Sequence, residues 1–216
     1  MVLPELEPAS ADEFVSAGDL ELRSFTGVDL SGRDGSNGRL LECSLIDCRA
    51  DDLALAGTRV LETSLTGVAA TAVDAQRSTW RDVTMAGCRI GVLDAPSSAW
   101  TDVTIRDGKV GFLNLRGGSL VRVTFENCWL GEVRLGGGTV GPVTFEDCRI
   151  DSLELRGATA TEVDLRGARL GEHDGVENLR GVRISAAQLQ ELAPALAEHL
   201  GLLVGEPATT GRGRRR

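Results

Sequence analysis

The sequence predicts an all-β solenoid with a four-sided coil, and three observations carry that prediction. From Leu20 to Leu170 an apolar or small residue occupies nearly every position whose number is a multiple of five. Two residues before these centres stands a second small or apolar group, as in Cys43, Cys48, Leu53, Thr63 and Val73. The inward positions are most alike at a lag of twenty residues.

Period five fits neither regular element. Five steps walk an apolar stripe around a helix, and five steps of a strand flip it to the opposite face, so a repeating corner is required. Residues two apart on an extended segment point the same way, so each pentad buries two side chains and exposes three. At a lag of twenty, Val83, Val103, Val123, Val143 and Val163 form one column and Leu53, Val73, Leu93, Leu113, Val133 and Leu153 another. Four pentads per coil then stack as a quasi-one-dimensional repeat in which each coil buries its core against the next. At about 4.8 Å between coils the repeat makes roughly seven and a half coils and a rod on the order of 35 Å long.

In chain order, residues 1–19 form an N-terminal extension, and residues 20–170 form the solenoid. Its first coil is expected to be irregular near 31–38, because Arg23, Arg33 and Gly35 stand where small or apolar groups belong and Ser31–Gly38 is rich in glycine. Trp80 and Trp100 are centres one coil apart, each preceded by a centre reduced to Ala75 or Ala95 and partnered by Ser78 or Ser98, which is volume compensation in a close-packed interior. The five cysteines all fall on inward positions and no signal-peptide pattern opens the chain, so they read as packing thiols in a reducing compartment. Cys128 and Cys148 stack on successive coils with parallel side chains, which opposes a disulfide. No apolar run reaches the length of a membrane span, and the expected location is the cytoplasm.

Residues 171–205 are expected to be a C-terminal helical cap or dimerisation segment. Ser185 and Gln188 make a capping box. Leu189, Leu192, Leu196 and Leu200 then share one face that covers the last coil, and Pro194 should kink this helix or split it in two. Leu202, Leu203 and Val204 either finish the cap or form a two-fold contact. Residues 206–216 read as a disordered basic tail.

Catalysis finds little support. The chain has two histidines and no tyrosine, and no recurring dyad or triad faces outward. Glu172-His173-Asp174 are adjacent and cannot easily converge on one ion, so they read as a turn leaving the last coil, and no metal or cofactor is expected. The outer columns are more informative. One runs Glu42, Glu62, Asp82, Asp102 before breaking at Arg122, and its carboxylates repel one another at every coil. Another carries Arg49, Arg89, Lys109, Arg149 and Arg169. Phe112 and Trp129 point outward on one side of the rod, where Trp129 either marks a contact site or lies against Lys109 and Arg149 in surface cation–π contacts.

The pentads Val163-Asp164-Leu165-Arg166-Gly167, Cys148-Arg149-Ile150-Asp151-Ser152 and Ala158-Thr159-Ala160-Thr161-Glu162 resemble the pentapeptide repeat family, whose pattern is small, polar, Leu or Phe, then two variable positions. The resemblance implies a right-handed quadrilateral β-helix. It further implies a non-enzymatic DNA mimic that occupies the DNA-binding saddle of DNA gyrase or topoisomerase IV, modulates quinolone sensitivity, and joins two rods into a homodimer through the C-terminal segment, with no direct contact to nucleic acid or membrane. The net charge of −9 suits a mimic, although only −4 of it (21 acids, 17 bases) lies in the repeat. No residue role transfers position by position. A protein-interaction scaffold using the Phe112 and Trp129 side, without topoisomerase contact, is the competing expectation.

Overall fold

A computed structural model describes residues 5–155, 159–160, 163–174, 179 and 181–205, without the side chains of 159–160 and 172–174. The chain folds as a parallel β-solenoid of about 8 turns with one C-terminal helix. Its strands form a 14-stranded and a 7-stranded sheet, each covering two sides of the coil. Within the repeat, strand pairs keep the lag of twenty, from Leu20↔Leu40 through Trp80↔Trp100 to Val143↔Val163. Two-residue alternation turns this register into burial. Centres such as Leu30, Trp100 and Leu120 are fully enclosed, and so are residues two before a centre, such as Leu93, Val103, Val133 and Val143.

The core packs as columns. Trp80 and Trp100 lie with ring centroids 5.4 Å apart, and Phe125 stacks on Phe145 at 4.8 Å with an interplanar angle of 5°. The five thiols are buried and free, so Cys128 and Cys148 form no disulfide. Each Sγ donates to main-chain carbonyls, as Cys88 does to Leu65 and Ala86.

Corners supply the turning that period five demands. At the corner occupied by Glu42, Glu62, Asp82, Asp102 and Arg122 the backbone is left-handed, with φ between 49° and 56°. Gly, Asn and Asp accept that conformation most readily. The next corner follows this preference, with Gly67, Gly87, Asp107, Asn127 and Asp147. The Glu42 corner follows it at Asp82 and Asp102 but not at Glu42, Glu62 and Arg122, whose charged side chains are retained against a local backbone preference.

The first coil is held in register by the isolated bridges Asp29↔Arg49 and Asp34↔Ala54, and Gly35 N–H donates to Ala54 at 2.8 Å. Beside it lies the N-terminal segment. Glu7–Pro8 adds a short parallel strand beside Arg23 and Ser24, and the 3-10 turn Ala11–Glu13 carries Phe14 into the open end of the rod, where it is buried. Arg23 pairs with Glu7 and with Glu13, and Arg33 Nη2 reaches Asp12 at 2.8 Å. Arginines at nominally inward positions are therefore neutralised where the coil stack ends.

The C-terminal end brings corrections. Glu172-His173-Asp174 is not a turn; it lies in the strand Ala168–Asp174, whose backbone pairs Ser152, Leu153 and Glu154. The ladder continues past Leu170 because three more rungs of Cys148–Glu154 are available. Ser185 and Gln188 form the expected capping box, but Ala186–His199 is one helix, not two. Pro194 and Gln190 are both exposed, so the carbonyl that proline leaves without a donor meets water. The leucine stripe is only partly covered. Leu192 is buried on the last coil and Leu196 is half-buried, whereas Leu189 and Leu200 are 51% and 68% exposed. The closing contact is polar: the Gln188 side chain is buried and its Nε2 donates to the carbonyls of Leu165 (2.6 Å) and Ala168 (2.7 Å). The basic tail, 206–216, lies outside the described residues.

Candidate binding faces

Register sorts the outer side chains by face, and the sorting separates charge that composition averages away. One side of the rod is centred on a ladder of small hydroxyls, Ser44, Ser64, Thr84, Thr104, Thr124 and Thr144, paired strand to strand. Carboxylates edge this ladder on both flanks. Glu42, Glu62, Asp82 and Asp102 occupy the corner before it, and Asp47, Asp107, Glu126, Glu146 and Asp147 lie at or beside the corner after it. The second edge was missed in the linear sequence because it draws on two adjacent columns, one interrupted by Ile46, Thr66, Ala86 and Arg106, which faces Asp107 at 3.5 Å, the other by Gly67, Gly87 and Asn127. Testing both columns at the lag of twenty would have found it.

The first edge is not uniformly free. Arg122 grips Asp102 with two hydrogen bonds of 2.5 and 2.6 Å, and this pairing holds the Asp102 carboxyl below the ordinary carboxylate range. Arg81 approaches Asp82 at 3.6 Å. Among the described residues no cation pairs with Glu42 or Glu62. The unopposed part of the edge is therefore its N-terminal half.

Phe112 and Trp129 both stand on the outer side of the second sheet, in strands Lys109–Asn114 and Trp129–Arg134. Each ring is half-buried beneath a cation: Lys109 Nζ lies 4.1 Å from the Trp129 ring centroid, and Arg134 Cζ lies 5.0 Å from that of Phe112. Of the two cations flanking Trp129 in register, only Lys109 sits on the ring. Arg149 turns instead to Asp151 at 2.7 Å. Beside Trp129 the surface sinks into an open depression of about 460 Å³ reached by Arg149, Arg169, Asn127 and Asp147.

At the C-terminal end Leu189, Leu200, Leu202, Leu203 and Val204 leave an apolar patch in solvent, with Leu203 fully exposed. Among the described residues no three His, Cys, Asp or Glu side chains cluster to hold a metal. Burial pushes the thiols of Cys43, Cys48 and Cys88 upward, the reverse of nucleophile activation.

The coil length, the parallel register and the two inward residues per pentad define a quadrilateral β-helix of the pentapeptide-repeat kind. No protein-family profile matches the chain, and no curated protein does. Among solved structures, it is similar to a trypsin-treated form of QnrB1, a plasmid-mediated fluoroquinolone resistance protein, at 17% identity, covering 89% of this chain and 92% of that one with a TM-score of 0.46. HetL, a pentapeptide repeat protein involved in heterocyst differentiation regulation from the cyanobacterium Nostoc sp. strain PCC 7120, is 16% identical over 78% of this chain and 87% of its own, with a TM-score of 0.35. Among the described residues no helix is long and apolar enough to cross a membrane.

Proposed function

We propose that the protein is a non-enzymatic binding rod whose hydroxyl-ladder side stands in for duplex DNA on a type II topoisomerase, DNA gyrase or topoisomerase IV. One observation supports this above the others: two rows of carboxylates flank a neutral stripe, as two phosphate backbones flank a groove. A surface built to receive phosphates recruits negative charge over several contacts, and among the described residues Glu42 and Glu62 offer it without a paired cation, while Asp82 faces Arg81 at 3.6 Å. A bacterial topoisomerase as partner places the protein in the cytoplasm. The apolar C-terminal patch of Leu189, Leu200, Leu202, Leu203 and Val204 then serves to join two rods end to end, doubling the length of the acidic side.

The test is gyrase supercoiling titrated with the purified protein at low and at physiological salt, with and without a quinolone. The expected outcome is inhibition, or relief of quinolone-induced cleavage, that weakens with salt and with Glu62→Lys plus Asp82→Lys. Glu62→Gly separates charge from backbone: it relieves a left-handed strain of roughly 1 kcal/mol, leaves the fold intact, and still lowers inhibition. No effect at tens of micromolar would refute the reading.

A further inference from the structure

The side of the rod next to the acidic one has the opposite character. Arg89, Lys109, Trp129, Arg149 and Arg169 stack directly on one another across five coils. Several arginines elsewhere are neutralised: Arg39 with Asp19 and Glu21, Arg122 with Asp102, Arg134 with Glu132. In this column Arg49 and Arg149 have such partners, Asp51 and Asp151. Among the described residues no carboxylate pairs with Arg89, Lys109 or Arg169, and all three are exposed. Like charges at successive coils raise the energy of the free rod. The tryptophan in their midst has one ring face covered by Lys109. Beside it run Gly91, Gly111 and Gly131, which project no side chain, and beyond them Val92, 37% exposed, and Phe112.

We propose that this column docks an acidic α-helix of a partner protein, lying along the rod axis over the cations with apolar side chains turned toward Trp129 and Val92. The pitch decides in favour of a helix. One face of an α-helix returns every 5.4 Å, so carboxylates on two successive turns stay within about 1 Å of the successive cations Arg89 and Lys109, spaced by about 4.8 Å, and the next turn meets Trp129. Strip geometry sets its position: Asp107 and Asp147 at the neighbouring corner and Asp151 in the glycine column repel an acidic ligand, which leaves it the stretch over Arg89, Lys109 and Trp129 on the side of Gly91, Gly111 and Gly131. This surface is independent of the topoisomerase reading, because it uses a different side of the rod and the opposite charge.

The probe is a fluorophore-labelled helical peptide with glutamates on one face and leucines beside them, titrated with the full chain by anisotropy. The result expected is saturable, salt-sensitive binding that falls at least about tenfold on Arg89→Glu plus Lys109→Glu, falls on Trp129→Ala, and is unchanged by Glu62→Lys plus Asp82→Lys. Arg77→Glu, an exposed arginine on another side, controls for net charge. The proposal is overturned by absence of saturable binding, by binding indifferent to the Arg89 and Lys109 changes, or by single-stranded oligonucleotide displacing the peptide at lower concentration than unlabelled peptide does.

Discussion

The ring of Phe14 fills the space that a side chain at Gly35 would need: a Cβ built on Gly35 would come 2.5 Å from Phe14 Cε1. Gly35 is the outright exception in the register of centres, and Phe14 lies outside the repeat, so the two departures are one device. The missing centre is supplied from the N-terminal segment, and Phe14 also meets Phe25 edge-on with centroids 5.8 Å apart.

The first prediction follows from that pair. Phe14→Ala is expected to cost about 3–5 kcal/mol in denaturant unfolding, as truncation of a buried phenylalanine does. Gly35→Leu alone is expected to be destabilising through overpacking. Combined with Phe14→Ala it is expected to cost less than the sum of the singles, a coupling that a double-mutant cycle measures.

The cap is held by an amide. Gln188→Leu leaves the carbonyls of Leu165 and Ala168 without their buried donor, with an expected loss of about 1–3 kcal/mol. Amide exchange would register the loss first at the last coil, and the early coils would keep their protection, because neighbouring coils carry most of each other's stability.

Trp80 and Trp100 are equivalent in the repeat but not in their hydrogen bonds. Trp80 Nε1 donates to Ser78 Oγ at 2.8 Å, whereas Trp100 Nε1 is buried without a partner. Trp100→Phe removes an unsatisfied donor and Trp80→Phe breaks a bond. Thermal melts are expected to show the larger loss for Trp80→Phe, by on the order of 1 kcal/mol.

The Asp102–Arg122 pair makes a pH prediction with a fixed sign. Asp102 titrates below an unfolded aspartate, so the pair stabilises the fold above about pH 4 and that contribution disappears as pH falls through the lowered folded value. Arg122→Ala is expected to move the Asp102 titration upward, read by carbonyl NMR. At an exposed site the accompanying change in stability is small.

Much of the molecule was legible in the linear chain because a period of five with a lag of twenty admits a single inward assignment. Val83, Val103, Val123 and Val143 stack as their spacing requires, and the Trp80 and Trp100 volumes are balanced as Ala75 and Ala95 imply. Ser185 and Gln188 were legible for a different reason: a capping box spans four residues, so its geometry is local. Arg23 and Arg33 were not, because their partners Glu7, Glu13 and Asp12 lie outside the repeat and no periodicity connects them.

The sequence by itself determined the coil, its register and the identity of the core, since those depend on spacing alone. Tertiary structure decided what the surface means. Asp102 belongs to an acidic column in the chain but is cancelled by Arg122 one coil on; Glu126 and Asp147, in separate columns, become one edge; and Leu189 and Leu200, in the stripe with buried Leu192, stand in solvent. Charge pairing, edges and exposure are set by which groups approach across coils and at the two ends of the rod, and those distances exist only once the coils are stacked.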